Sequence, residues 1–319
     1  MNAVAMLRVF NQMNVVLAAE ESAGLQMLRA LAASSHRLVA VLAAPPKAGF
    51  AGASAWNVAR NLGFETWPAE LVKDPELAGR LRSAQVDILL NVHSLYVINR
   101  EVLAAPRLGA YNLHPGPLPR YAGLNAVSWA LYRGEPTHGV TIHKIDPEID
   151  AGPIVYQTIF PIADDETALS LSFKCVNEGV ALMLRLLEVA GADPAKIPLL
   201  AQDPGGREYF GREVPEQGRL SWSWPASRIV NFVRACDYYP FSSPWGHPRT
   251  RFGVQEIALV KAGLTGQSSS VPPGTVGESV ASGIQVACQD EWVLVAKLLV
   301  EGKYVAAREL LSPGDRLVD

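Results

Sequence analysis

The chain has 319 residues, of which 49% are hydrophobic. That is enough for one large domain or two ordinary ones, and it excludes a disordered or staple-dependent chain. Lys and Arg total 28 against 31 Asp and Glu, a net charge of -3, which argues against a strongly basic nucleic-acid binder while leaving room for a local patch.

The N-terminal half alternates short apolar runs with helical patterns. Asn14 to Ala18 reads as a strand, and Leu25, Leu28, Leu31 and Ala32 recur at helical spacing. Leu38 to Leu42 reads as a second strand, Ala55 to Leu62 and Leu77 to Leu81 as helices, and Val86 to Val92 as a further strand. Such alternation predicts an α/β fold with a mostly parallel sheet, whose ligands sit beyond the carboxyl ends of the strands. No GxGxxG fingerprint follows the first strand, where Ala18-Ala19-Glu20-Glu21-Ser22 stands, and no Walker A sequence occurs. This argues against NAD, FAD or ATP. Gly24 is expected to serve close packing or capping.

Residues 111 to 123 read Tyr-Asn-Leu-His-Pro-Gly-Pro-Leu-Pro-Arg-Tyr-Ala-Gly. Asn112 and His114 have the two-residue spacing of one strand face. Pro115, Gly116, Pro117 and Pro119 then forbid a regular continuation. The segment suits a pair of polar groups held at a strand end. By spacing alone it suits a buried structural histidine before a turn equally well.

Val140 to His143 and Ile154 to Phe160 are expected to pair as strands around the polar turn Asp146 to Gly152. The Asp146, Glu148 and Asp150 cluster lacks the EF-hand pattern, and zinc near His143 would need more ligands, so no metal is expected. Ala168 to Leu187 reads as a helix, Asp203 to Arg207 as the start of a linker, and Ala226 to Ala235 as a short helix. Val254 to Val260, Val276 to Val280, Gly283 to Cys288 and Trp292 to Leu299 read as strands of a small barrel or sandwich.

Cys175, Cys236 and Cys288 are far apart, without a CxxC pair. They are expected to be packing residues rather than nucleophiles or metal ligands. No apolar run reaches membrane-spanning length and no signal-peptide pattern opens the chain, so a cytoplasmic location is expected.

Several motifs resemble, in order, those of the 10-formyltetrahydrofolate-dependent formyltransferase family. They are Asn112-Leu-His114-Pro-Gly-Pro-Leu118-Pro119, Gly123, Gly134-Glu135, Gly139-Val140-Thr141-Ile142-His143 and Asp150-Ala-Gly152. The similarity continues through Ser221 to Ala226, Arg234-Ala235 and the terminal β segment. It is greatest to the methionyl-tRNA formyltransferase branch and its sugar-amine relatives. The resemblance implies a Rossmann-like catalytic domain and a smaller, open β-barrel (OB-like) C-terminal domain. The expected boundaries are 1–205 for the first, 206–250 for a linker and helical connector, and 251–319 for the second.

The resemblance assigns catalysis to Asn112, His114 and Asp150. It implies N10-formyltetrahydrofolate as co-substrate, released as tetrahydrofolate, with the pterin against Ser94, Leu95, Tyr96, Val97, Ile98 and Leu118 and the Asp146-to-Asp150 loop, with Asp146 and Glu148, opposite. Asn112 and a protonated His114 would donate to the developing oxyanion, and Asp150 would orient His114 and receive an amine proton. The tRNA branch usually has Ser-Leu-Leu-Pro after the histidine and an Arg before the loop Gly. This chain has Gly116-Pro117-Leu118-Pro119 and Ala122-Gly123 instead.

The loop Ala43 to Phe50 carries no basic cluster, and residues 211–319 balance 11 basic against 11 acidic residues. The expected acceptor is therefore a non-tRNA primary amine, small or carrier-bound, such as a nucleotide-linked amino sugar or an amino acid. Trp129, Tyr132, Tyr238, Tyr239, Phe241 and Trp245 are candidate cleft walls. The alternatives are initiator-tRNA formylation, hydrolysis of the formyl-folate, and folate binding without catalysis.

Overall fold

The computed structural model describes residues 11–46 and 54–319. The chain folds as two units, each drawn from separated stretches of sequence. The first comprises the chain to Gly123, with Gly139–Ile159 and Lys174–Tyr209; the second comprises Leu124–His138, Phe160–Phe173 and Phe210–Asp319.

The first unit begins β1 (Asn14–Ala19), α1 (Glu21–Ala32), β2 (Arg37–Ala43), α2 (Ala55–Asn61) and β3 (Thr66–Pro68). It continues α3 (Leu77–Ser83), β4 (Ile88–Val92), α4 (Arg100–Leu103), β5 (Gly109–His114) and β6 (Ala122–Gly123). After α5 (Ala126–Arg133), which belongs to the second unit, come β7 (Thr137–Lys144), β8 (Ile154–Pro161) and the long α6 (Ala168–Ala192), whose first turns belong to the second unit and the rest to the first. Strands β1, β2, β3, β4, β5, β7 and β8 form one sheet in the order β3-β2-β1-β4-β5-β7-β8. Its first five strands run parallel, whereas β7 lies antiparallel to β5.

β4 is buried along its whole length, which is why it reads as a continuous apolar run rather than an alternating one. Gly24 serves close approach: a Cβ there would sit 2.9 Å from the Ala19 backbone. The expected strands, and the pairing of the two runs around the 146–152 turn, are present. The short β3 and β6 escape a reading based on apolar runs, because three residues or fewer give no periodicity.

In the second unit β9 (Tyr209–Phe210) precedes α7 (Ala226–Ala235). Then come β10 (Arg249–Phe252), β11 (Gln255–Ser268), β12 (Val276–Val280), β13 (Gly283–Ala287), β14 (Glu291–Val300), β15 (Lys303–Ala306), α8 (Ala307–Leu310) and β16 (Leu317–Val318). The sheet runs β12-β13-β14-β11-β10-β16, with β15 added on β14. β11 is longer than its apolar core, because its second half alternates Leu264 with polar residues toward solvent. α7 buries Ala226, Ile229, Val230 and Val233, a helical i, i+3, i+4, i+7 stripe.

Trp222 is 1% exposed, and its indole N–H donates to Thr250 Oγ1 at 2.9 Å. The Thr250 hydroxyl in turn donates to the Val318 carbonyl at 2.8 Å. Thr250→Val is therefore expected to strand the indole N–H and cost about 1–3 kcal/mol. Urea unfolding of this unit, with circular dichroism to show an unchanged fold, checks it.

All three cysteines are buried, and burial pushes the Cys236 thiol up to about 12. Among the described residues no helix is long and apolar enough to cross a membrane.

Candidate active site

The register of three neighbouring strands builds the site. Parallel pairing sets Asn91 of β4 beside Asn112 of β5, and antiparallel pairing sets His143 and Thr141 of β7 beside Asn112 and His114. The turn between β7 and β8 then returns Asp150 onto these side chains.

Asp150 reaches His114 Nδ1 at 3.4 Å with Oδ2, and His143 Nε2 at 3.3 Å with Oδ1. The Gly123 backbone N–H donates to Oδ2 at 2.8 Å, and Asn112 Nδ2 lies 3.4 Å from Oδ1. Asn112, His114 and Asp150 are thus one constellation, drawn from β5 and the β7–β8 turn. Burial by itself would raise the Asp150 carboxyl. The neighbouring His114 and His143 and the Gly123 N–H outweigh it and hold the group well below the usual carboxylate range.

His114 is buried, and its Nε2–H donates to the Tyr121 carbonyl at 2.7 Å. Burial pushes its imidazole below the ordinary histidine value, against the pull of Asp150. The free protein therefore favours neutral His114, not the protonated donor expected from the sequence, with an unprotonated Nδ1 facing a carboxylate. A proton arriving at Nδ1 would turn that contact into an ion pair.

Asn112 is oriented from behind. Asn91 Nδ2 donates to its Oδ1 at 2.9 Å, so the amide presents its N–H groups forward, one of them to His143 Nε2 at 3.1 Å. His143 Nδ1 donates to the Lys144 carbonyl at 3.0 Å, which leaves Nε2 to accept from Asn112 in the neutral ring.

The Pro-rich loop after His114 is pinned by Thr141 and Gln157. The Thr141 hydroxyl donates to the Gly116 carbonyl at 2.7 Å and accepts from Leu118 N–H at 3.2 Å. Gln157 Nε2 donates to the Leu118 carbonyl and to Thr141 Oγ1, both at 2.9 Å.

The predicted folate residues occupy different settings. Ser94 is buried, and its hydroxyl has no hydrogen-bond partner among the described residues. Leu95 and Val97 are 81% and 62% exposed, whereas Ile98 packs into the core with Tyr96 against it. Leu118 is buried beside the loop it was expected to close, and Asp146 and Glu148 are exposed on the turn. Of the loop Ala43 to Phe50, residues 47–50 lie outside the described residues.

In the second unit Trp129 stacks on Phe210 at 4.8 Å and meets Trp245 edge-on at 4.9 Å, with Tyr132 beside them. Those three of the proposed aromatic walls pack on one another. Tyr238 pairs its hydroxyl with Ser128 at 2.9 Å, while Tyr239 and Phe241 are exposed.

Sequence reasoning missed Asn91, Gln202 and Arg207. Gln202 Nε2 donates to the Asp150 and Gly152 carbonyls, and Arg207 donates to the Ile149 carbonyl. Asn91 is the penultimate residue of an apolar strand and carries a weak signal, a lone amide in a buried run. The other two lie in a turn-rich stretch with none.

A family model described as formyl transferase matches residues 13–187, and one described as formyl transferase, C-terminal domain, matches residues 214–312. A methionyl-tRNA formyltransferase of Legionella pneumophila (strain Paris) is 28% identical over 312 residues, covering 95% of this chain and 96% of its own. Two solved structures share the fold. An N-formyltransferase from Helicobacter canadensis, in complex with folinic acid and dTDP-3-aminofucose, has a TM-score of 0.68 at 18% identity, over 89% of this chain and 99% of that one. HypX from Aquifex aeolicus, in complex with tetrahydrofolic acid, has a TM-score of 0.59 at 17% identity, over 95% of this chain and 47% of that one.

Proposed function

The chain belongs to the formyl transferase family, and from that premise we propose that it moves the formyl group of N10-formyltetrahydrofolate to a primary amine on an acceptor other than tRNA. The observation that carries the chemistry is the Asn112, His114 and Asp150 constellation at the end of β5. The amine nitrogen attacks the formyl carbon and negative charge grows on the formyl oxygen. Asn112 Nδ2 stabilises that charge, giving up its long 3.4 Å contact with Asp150 to do so. Neutral His114 takes up the amine proton at Nδ1, the imidazolium pairs with Asp150, and the proton is then delivered to N10 as the carbon–N10 bond breaks and tetrahydrofolate leaves. No covalent enzyme intermediate is required.

The folate lies along Ser94 to Ile98, with Leu118 on one side and Asp146 and Glu148 opposite. Three features fit a pterin there. Ser94 offers an unpaired hydroxyl, Leu95 and Val97 offer exposed apolar surface, and the 94–98 segment carries backbone groups able to read a heterocycle edge. Residues 1–205 form the catalytic domain, 206–250 the connector and 251–319 an open β-barrel. Support for the barrel comes from a bridge between Thr275 and Arg316, which adjoin the two end strands β12 and β16.

The choice of a nucleotide-linked amino sugar, or of a free or carrier-bound amino acid, rests on charge and loop sequence. Balanced charge in residues 211–319 and the lack of a basic cluster in the loop Ala43 to Phe50 give a polyanion little to hold. The fold likeness to an enzyme crystallised with dTDP-3-aminofucose agrees with it. The second reading, initiator-tRNA formylation, is favoured by the 28% identity to a methionyl-tRNA formyltransferase.

An acceptor screen read by product mass decides between them. Formyl-folate is supplied with charged initiator tRNA, with nucleotide-linked amino sugars and with carrier-bound amino acids. A mass gain of one formyl group on a non-tRNA amine is expected. Gain on tRNA alone reverses the acceptor choice. Formate release without amine points to a hydrolase, and folate binding without turnover to a non-catalytic binder.

A further inference from the structure

Asp150 has φ of +53°, the left-handed region that side chains other than glycine's occupy at a cost. Such a conformation persists where its surroundings over-determine it. The surroundings here come from a strap 50 residues further along the chain. Leu200 and Ile154 exchange backbone hydrogen bonds at 2.8 and 2.9 Å, setting the strap beside the start of β8. Arg207 holds its far end to the turn, donating to the Ile149 carbonyl at 2.7 Å and approaching Glu148 at 3.4 Å.

Between these anchors, Gln202 commits its amide nitrogen twice. Nε2 donates to the Asp150 carbonyl at 2.8 Å and to the Gly152 carbonyl at 2.7 Å. A reversed amide would set its oxygen against two carbonyl oxygens, so only the donor face fits. The cost shows on the other side: Gln202 Oε1 is buried without a partner among the described residues. What the residue supplies is its two donors, and these hold the Asp150–Gly152 segment from the Asp150 carbonyl onward.

We propose that Gln202 is a positioning residue: by clamping the carbonyls of Asp150 and Gly152 it holds the Asp150 carboxylate between His114 and His143. This rests on the reading of Asp150 as the partner of His114. The groups acting on His114 are the Asp150 carboxylate, His143, the Tyr121 carbonyl and His93; Asp150 favours the imidazolium most, the Tyr121 carbonyl less, and the two histidines oppose it. Freed from the clamp, the carboxylate drifts and His114 loses that support.

The test titrates the His114 ring by 15N NMR in histidine-labelled protein without substrate, comparing wild type, Gln202→Met, Asp150→Asn and the double variant. Gln202→Met is expected to lower the His114 midpoint by about half a pH unit or more. In the Asp150→Asn background it is expected to add nothing. In turnover with formyl-folate and the amine returned by the screen, Gln202→Met should lower kcat by roughly 10–100-fold while the donor KM moves less than about threefold.

An unchanged His114 midpoint in Gln202→Met overturns the proposal, and so does an equal shift in both backgrounds, which marks general loosening. Asp150→Asn that leaves His114 unmoved overturns the Asp150–His114 reading itself, and the clamp with it. Should Gln202→Met not fold, Gln202→Asn keeps the amide but withdraws it by one bond, and is held to the same outcomes.

Discussion

Replacing His114 with alanine is expected to lower kcat by about 10²–10⁴-fold, the range for removing a positioned acid–base group. The fold should survive, because the Asp150 carboxylate keeps the Gly123 N–H and the Asn112 amide as donors. Steady-state kinetics at saturating formyl-folate checks the first part and circular dichroism the second. Activity within threefold of wild type would remove His114 from the chemistry.

Stability against pH supplies an independent signature. Burial sets the folded His114 below its ordinary value, so the unfolded chain binds the proton more readily. The contribution of such a group is complete above the unfolded value of about 6.5 and is lost as pH falls toward the folded value. Asp150, also depressed when folded, loses its contribution in the same direction at lower pH. Wild type should therefore weaken between about pH 7.5 and 5.5 in urea unfolding, and His114→Ala should weaken less. Equal slopes for the two proteins would contradict the buried, neutral imidazole.

How much of this was legible depends on what carries each signal. The central strands were readable because β1 and β4 are buried on both faces and leave continuous apolar runs. Asn112 and His114 stand out because a two-residue spacing meets a proline stop, but spacing alone suits a structural histidine equally well; their expected roles, and the choice of Asp150 before Ala-Gly, come from the family resemblance. β10, Arg-Thr-Arg-Phe, was not readable: a short polar strand owes its place to neighbours on both sides. Gln202 was hidden for a related reason. Its partners are backbone carbonyls 50 and 52 residues away, and a carbonyl leaves no mark on the sequence. His143 was visible as a polar residue in an apolar strand, but its partner Asn112 emerges only once the β5–β7 register is known.

Gly152→Ala is expected to damage both stability and turnover, through one added methyl group. A Cβ at this position would overlap the Lys144 carbonyl oxygen and lie 3.0 Å from its carbonyl carbon and 3.2 Å from the Asp146 nitrogen. All of these are backbone atoms, and neither side can retreat cheaply. Lys144 is paired to Tyr111 across the β5–β7 ladder and donates its N–H to the Pro153 carbonyl at 2.9 Å. Gly152 is tied by its own carbonyl to Gln202 at 2.7 Å. Relief therefore has to come from the turn itself, and Asp150 is two residues away. A cost near the upper end of overpacking, about 3 kcal/mol, is expected. Displacement of the carboxylate by about 1 Å should lower kcat by roughly 10²-fold in the molecules that remain folded.

Gly79 is the control. It lies inside α3, and a Cβ there meets nothing within 4 Å. Gly79→Ala should stabilise by about 0.4–1 kcal/mol and leave kcat unchanged, because it lowers the entropy of the unfolded chain without touching the folded one. Urea unfolding and kinetics on both variants test the contrast. If Gly152→Ala behaves like Gly79→Ala, the close approach of the turn to Lys144 is not what sets Asp150.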